Sequence, residues 1–334
     1  MQKIKVITFG EILLRLSPDW ATNKAAIFVG GAEANVAASL ATWGTPVTYI
    51  SKVPDNGLSR QVLQQLQNVG VDTGRMLLGG DRIGAYYLAQ GSDLKHAEVV
   101  YDRKYSSFAD IKPNTVNWEE ALGDAEWFHW SAISPALNED AAIICKEVLE
   151  AAKRKGMTIS VDLNYRSKLW KYGKDPVEVM PELAHYCHLI MGNIWASKMM
   201  LGTQLDEQAL NVDEKDVYLD TAMKVAQEIV EHYRQCNRVA FTFRFSSGES
   251  HNLYYATYFE NDKLYVSQQR ETNEVVDRVG SGDSFMGGLI HAQLNGFTPQ
   301  QTIEFAAAAA YSKLFRQGDF NLTPKESILQ LIQQ

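Results

Sequence analysis

Toward the C-terminus the chain reads Asp277-Arg278-Val279-Gly280-Ser281-Gly282-Asp283-Ser284-Phe285 and runs on into Met286-Gly287-Gly288-Leu289-Ile290. Val275 to Val279 has the pattern of a strand, Gly-Ser-Gly that of a turn, and the residues after it that of a helix. Small residues at 280–282 let successive backbone N–H groups converge where that helix begins, which makes a site for an anion such as a phosphate. Asp283 falls in the first helical turn, where the dipole favours a carboxylate that stays ionised near neutral pH. So placed, it can accept the proton of a hydroxyl attacking phosphorus. The same residues also suit a plain tight turn with Asp283 as a capping residue. No Gly-Lys-Ser/Thr follows the glycines, and no Gly-x-Gly-x-x-Gly opens the first strand. That sets aside the common phosphate loop and the dinucleotide fold.

A second cluster, Gly30-Gly31-Ala32-Glu33-Ala34-Asn35-Val36-Ala37, falls at another strand-to-helix junction. The paired glycines permit a close backbone approach to a ligand, and Asn35 offers a donor and an acceptor to a hydroxylated one. Alone, it suits an ordinary glycine turn as well.

These residues need elements to position them. Ile4–Phe9, Val47–Val53, Trp127–Trp130, Thr158–Leu163, Leu189–Met191 and Arg238–Phe243 read as strands. Ala34–Trp43, Leu58–Asn68, Glu139–Lys155 and Thr221–Tyr233 read as helices between them. Alternation of this kind predicts a doubly wound α/β fold, a mostly parallel sheet with helices on both faces. The C-terminal third adds two helices. The second starts at Thr298-Pro299-Gln300-Gln301, a capping box with proline in the first turn, and stops near Gly318. Residues 11–29 and about 82–103 alternate like strands without crossover helices, which predicts a small antiparallel sheet inserted into a single 1–334 unit, a lid over a cleft.

Composition bounds the partners. The formal net charge is −8 with no Lys/Arg block, so no nucleic-acid footprint is present. No 18-residue apolar run suggests a membrane span, and MQKIKVITFGEILL lacks the layout of a signal peptide. Cys145, Cys187 and Cys236 are widely spaced in apolar stretches, which reads as buried small residues in a reducing, cytoplasmic setting. His129 and Trp130 end a strand and are assigned no chemistry, and the acidic run Asp206–Asp220 reads as a solvated loop and helix start.

Together, and in this order, the two glycine motifs resemble the signatures of the ribokinase-like (PfkB) carbohydrate kinases. Gly30, Gly31, Asn35 and Ala37 match the first signature. Asp277, Gly280, Gly282 and Asp283 match the second, with Ser281 at the usual alanine. The resemblance covers essentially the whole chain. It implies a ribokinase-like domain with a β lid and ATP-dependent transfer to an alcohol, with Asp283 as base and the amides of Gly280, Ser281 and Gly282 as anion hole.

Further segments are most similar to the 2-keto-3-deoxygluconate kinases, whose phosphorylated hydroxyl is the terminal C6 one. They are Gly84-Ala85-Tyr86, Tyr101-Asp102-Arg103, Asp162-Leu163-Asn164-Tyr165-Arg166 with Leu169-Trp170, and Gly318-Asp319-Phe320-Asn321. The resemblance implies substrate contacts from Gly30, Gly31, Ala34, Asn35, Tyr86, Tyr101, Arg103, Arg166 and Asp319. It implies nucleotide contacts from Asn164, Asn193, Thr242, Arg244, Gly280 and Gly282, with ATP, Mg2+ and optionally a monovalent cation as cofactors. Arg103 and Arg166 are the telling pair, since a guanidinium fork holds a sugar acid's carboxylate bidentately and a neutral sugar leaves it without a partner. A homodimer or larger homo-oligomer joined through the lid is the expected assembly.

Two departures bear on the metal and the nucleotide. Asn193-Ile194-Trp195-Ala196 keeps the Asn of a family Asn-x-x-Glu segment but has Ala196 in place of the Glu. Thr242-Phe243-Arg244-Phe245-Ser246-Ser247-Gly248 lacks the first of two glycines usual near the nucleotide. Two other readings stay open on the sequence: a sibling kinase of fructose or another keto sugar, and a non-catalytic sugar or nucleotide sensor.

Overall fold

The structure, a computed structural model, describes residues 3–88, 99–208, 210, 214–246 and 251–333. Part of the expected lid (89–98), Ser247-Gly248 and part of the acidic 206–220 run lie outside the described residues. The first part of the chain gives β1 (Val6–Phe9), β2 (Leu13–Asp19), β3 (Lys24–Gly30), α1 (Ala32–Thr42), β4 (Val47–Ile50), β5 (Lys52–Val53), α2 (Gly57–Asn68), β6 (Leu77–Leu78), β7 (Gly84–Tyr87) and β8 (Val100–Asp102). The middle gives α3 (Trp118–Leu122), β9 (Trp127–Ser131), α4 (Glu139–Arg154), β10 (Thr158–Asp162), α5 (Pro176–Ala184), β11 (Leu189–Gly192), α6 (Ile194–Leu201) and α7 (Lys215–His232). The last part gives β12 (Arg238–Phe245), β13 (Asn252–Glu260), β14 (Lys263–Val266), β15 (Arg270–Thr272), α8 (Ser281–Leu294), α9 (Pro299–Lys313) and α10 (Lys325–Ile332).

The main sheet has the order β14-β13-β12-β11-β10-β9-β1-β4, with β15 also paired to β13. From β12 to β4 every pairing is parallel. Both faces of these strands are buried because successive side chains enter opposite cores. Ile7, Phe128, Val161, Ile190 and Phe241 pack on one side with α4, α5 and α7. Val6, Trp127, Leu189 and Ala240 pack on the other with α1, α8 and α9. This is the doubly wound arrangement the sequence pattern implies.

Several local expectations hold for stated reasons. Thr298 and Gln301 close the capping box on α9 behind Pro299. The cysteines are buried and unpaired, and His129 and Trp130 lie inside the sheet. Others are corrected. Val275–Val279 is not a strand; the amides of Val276 and Asp277 bond instead to the Leu314 carbonyl. α9 ends at Lys313 rather than near Gly318, leaving a loop that carries Asp319. α7 starts at Lys215 rather than Thr221, Val47–Val53 divides into β4 and β5 in different sheets, and three helices follow residue 280 rather than two. The antiparallel β13, β14 and β15 carry no crossover helix and were not anticipated.

The inserted segments do form a separate sheet, in the order β3-β2-β7-β8. Its β2–β3 and β7–β8 pairs are antiparallel as expected, but β2–β7 is parallel. The chain leaves this sheet after β3 and re-enters beside β2 only after α1 and α2, and a return through the core can run either way. Leu13, Arg15 and Tyr86 occupy the buried face, whereas Leu14, Leu16, Ile27, Tyr87 and Val100 lie on the other.

Candidate active site

Helices α1 and α8 both start on a glycine with positive φ, Gly31 at 129° and Gly280 at 82°, and neither has a side-chain cap. By contrast α2, α4 and α6 are capped by Asn56, Asn138 and Asn193. The first-turn amides of α8 are therefore left to whatever faces them. They face a cavity of about 670 Å³ at the C-terminal ends of β10, β11 and β12 and under the small sheet. Fourteen of the residues expected at the site line it: Gly31, Asn35, Tyr86, Tyr101, Arg103, Asn164, Arg166, Asn193, Thr242, Arg244, Gly280, Gly282, Asp283 and Asp319. Gly30, Ala34 and Ser281 do not.

Asp283 stands in the first turn of α8, as expected, and accepts a 2.6 Å hydrogen bond from Asn35 Nδ2. This contact joins the two glycine motifs across 248 residues of sequence. The Asn35 Oδ1 atom is buried with no hydrogen-bond partner. A buried acceptor facing a polar cavity is a place for a ligand donor. Burial pushes the Asp283 carboxyl up to about 8; the Asn35 bond opposes this, Asp162 and Glu33 reinforce it, and Arg166 opposes it. Desolvation and two neighbouring acids thus work against the helix dipole, which favours the ionised form.

The anion site is also narrower than expected. The Ser281 amide donates to the Arg278 carbonyl at 3.3 Å, and the Ser281 hydroxyl donates to the Ala310 carbonyl and accepts from Arg244. Ser281 is therefore committed to the protein, and Gly282 and Asp283 supply the first-turn amides on the cavity side. A Cβ on Gly282 would meet nothing within 4 Å, which leaves open space beside that backbone. Two other glycines also make room for Asp319. A Cβ on Gly30 would lie 2.2 Å from Asp319 Oδ2, and one on Gly280 would lie 2.0 Å from the Asp319 carbonyl. Both let Asp319 lodge between the motifs.

Asp319 heads a buried network that sequence reading missed. Its carboxylate lies 2.9 Å from Arg15 Nε and accepts a 2.9 Å hydrogen bond from the Tyr86 hydroxyl. Arg15 also forks onto Asp277 at 3.2 and 2.6 Å, and Asp277 accepts from the Gly318 amide at 3.0 Å. Burial pushes Asp319 up to about 6 against the pull of Arg15 and the Tyr86 bond. One signal was present: Arg15 shares the inward β2 face with Leu13, where a charge needs a partner.

The arginine pair divides. Arg103 is buried and already holds Glu11 through Nε at 2.8 Å and through its terminal nitrogen. The expectation that a neutral sugar leaves it without a partner is corrected by this ion pair. Arg166 donates only to the Tyr165 carbonyl, and among the described residues no carboxylate lies within ion-pair distance of it. Lys168, which sequence reading passed over, also lines the cavity and donates to the Val99 carbonyl at 3.0 Å. Asn164 sits at φ 31°, a conformation its short polar side chain tolerates, and its amide bonds to Asp162. Burial raises Asp162 to about 6, opposed by that bond and by Arg166. Asn193 lines the cavity but spends Oδ1 on the Ala196 amide at 2.8 Å. No group of three His, Cys, Asp or Glu able to hold a metal occurs among the described residues. No described helix is long and apolar enough to cross a membrane.

The family model of pfkB carbohydrate kinases matches residues 4–326. The chain belongs to this family; it is an ATP-dependent sugar kinase with the ribokinase-like fold. The 2-dehydro-3-deoxygluconokinase of Thermotoga maritima, known from its crystal structure, is similar over 99% of this chain and 100% of its own, with 36% identity and a TM-score of 0.90. A 2-dehydro-3-deoxygalactonokinase of Haloferax volcanii is 29% identical over 96% of this chain and 95% of its own. The 2-dehydro-3-deoxygluconokinase of Bacillus subtilis is 25% identical over 96% and 93%.

Proposed function

We propose that the enzyme transfers the γ-phosphoryl group of ATP to the C6 hydroxyl of 2-dehydro-3-deoxy-D-gluconate, with Asp283 as general base. The observation that carries this is one cavity holding Asp283 beside an uncapped helix start and an arginine, Arg166, that has no carboxylate within ion-pair distance among the described residues. The C6 oxygen attacks phosphorus, its proton passes to Asp283, and ADP leaves. Asn35 holds the carboxylate from one side, and its free Oδ1 accepts a sugar hydroxyl. The first-turn amides of Gly282 and Asp283 face the charge that develops on the phosphoryl oxygens.

The sugar carboxylate pairs with Arg166, with Lys168 on the same wall as a second cation. Arg103 is fixed by Glu11 and offers its remaining N–H to a hydroxyl. Tyr86, Tyr101 and Asp319 complete the sugar side, and Asn164, Asn193, Thr242 and Arg244 line the nucleotide side. Among the described residues no acid cluster would hold a metal on its own, so a Mg2+ would arrive on the nucleotide, where it would neutralise charge on the transferred group.

In this reading the chain is one domain, and the β3-β2-β7-β8 sheet is its lid, closing over the sugar to exclude water. The lid's outer face is apolar, with Ile27 63%, Val100 50% and Tyr87 40% exposed. A second copy covers it, which gives a homodimer. Ile27→Glu should shift sedimentation toward a monomer, and a monomeric wild type would end this assignment. The setting is cytoplasmic, where ATP is supplied.

ADP release with ATP and magnesium tests the substrate, using 2-keto-3-deoxygluconate, its galactonate epimer, fructose, tagatose, ribose and gluconate. Preference for the first supports the proposal, and preference for the epimer moves it to the Haloferax-like specificity. Turnover of neutral sugars alone overturns the role of Arg166, and no turnover with any of the six overturns the substrate assignment.

A further inference from the structure

Lys313, in the last turn of α9, has no exposed surface (0%). Among the described residues no carboxylate lies within ion-pair distance of its ammonium. Its Nζ instead donates to two main-chain carbonyls, Arg316 at 2.8 Å and Asp277 at 3.3 Å. Burying an ammonium is expensive unless its donors are met, so its position calls for a reason. Burial pulls Lys313 down to about 8, opposed by Asp277 and Asp319 and reinforced by Arg15.

The two carbonyls belong to loops that are separate in the sequence. Asp277 opens the segment that turns at Gly280 into α8, and Arg316 lies in the loop that carries Asp319. The loops are already zipped by Val276 and Asp277 amides on the Leu314 carbonyl and by the Gly318 amide on Asp277 Oδ2. This leaves the Asp277 and Arg316 carbonyls pointing at one spot, where their like dipoles repel unless a cation sits between them. Converging main-chain carbonyls are how proteins hold a dehydrated monovalent metal ion. A lysine ammonium supplies the same charge as a compact point with three donors.

We infer that Lys313 is a built-in monovalent cation, whose ammonium ties the loop opening α8 to the loop carrying Asp319 and so holds Asp283 in place without a potassium or sodium ion. The optional monovalent ion suggested by the family resemblance does not fit here, because the side chain fills the position. Lys313 does not line the cavity; it is a positioning residue. The effect on catalysis rests on the kinase reading, whereas the structural role does not.

The test compares wild type, Lys313→Ala and Lys313→Met in choline, sodium, potassium and ammonium chloride at matched ionic strength. Turnover and melting temperature of the wild type should be the same in all four. Lys313→Ala should lose roughly 100-fold in kcat with little change in KM, the scale of a small misplacement of the reacting groups. Potassium or ammonium should then restore part of kcat and raise the melting temperature of this variant alone. Lys313→Met, which fills the space with an apolar chain, should fold and be impaired without rescue by any ion. A wild type that requires an added monovalent ion overturns the inference. So does a Lys313→Ala enzyme that is fully active in choline, or one whose loss no ion reverses in turnover or in melting. Melting is read without sugar or nucleotide, so it decides the cation role even if no sugar proves to be a substrate.

Discussion

Asp283→Asn exchanges one oxygen for a nitrogen and leaves everything else at the start of α8 in place. The new amide can still offer its oxygen to Asn35 Nδ2, now 2.6 Å from the carboxylate. What it cannot do is accept a proton. A positioned general base is worth roughly 10² to 10⁴ in rate, so kcat should fall by about a thousandfold. The same change has the opposite effect on stability. The folded state raises Asp283 from 3.8 to about 8, chiefly through burial. For an acid shifted upward, the folded protein loses stability as pH climbs from the lower value to the higher one. At pH 7 that loss is at most on the order of 4 kcal/mol, at about 1.4 kcal/mol per pH unit. Asparagine carries no such cost, so the variant should melt higher than the wild type while turning over far more slowly. Coupled ADP release, calorimetric sugar binding and thermal melting together read the three quantities. Turnover within tenfold of wild type would refute the base. A variant that melts lower and no longer binds sugar would refute the electrostatics assigned to this carboxyl.

Other outcomes follow from the same geometry. With Asp283 protonated below about 8, kcat/KM should rise as pH increases from 6.5 toward 7.5, before Lys313, drawn down to about 8, also loses its proton. Arg166→Gln should move that rise to higher pH, since the Arg166 charge holds Asp283 down; a pH profile that stays fixed would detach the two residues. Arg166→Lys should raise KM for the acid sugar well above any change in KM for ATP, because a point charge does not replace a bidentate fork. Equal changes in both would place Arg166 on the nucleotide instead. Tyr86→Phe removes the hydroxyl that donates to Asp319 at 2.9 Å, and urea denaturation should show a loss of about 1–3 kcal/mol from the unmet buried acceptor. An unchanged midpoint would mean that water replaces the phenol.

What the sequence determined by itself was local. The capping box at Thr298, the alternation of β9 to β12 and the glycine starts of α1 and α8 depend on neighbours a few residues apart, and those residues are written consecutively. The doubly wound core and the presence of Asp283 at a helix N-terminus were legible for the same reason. Tertiary structure decided which partner each charged group took. Arg15 meets Asp277 across 262 residues and Arg103 meets Glu11 across 92, and no periodicity encodes such pairings. It decided that β2 and β7 run parallel, because the direction of a strand returning through the core is set by packing rather than by pattern. It also set the electrostatics at Asp283. A helix dipole can be read from position in a motif, but the desolvation and the neighbouring Asp162 and Glu33 that oppose it exist only when distant elements are packed around the same cavity.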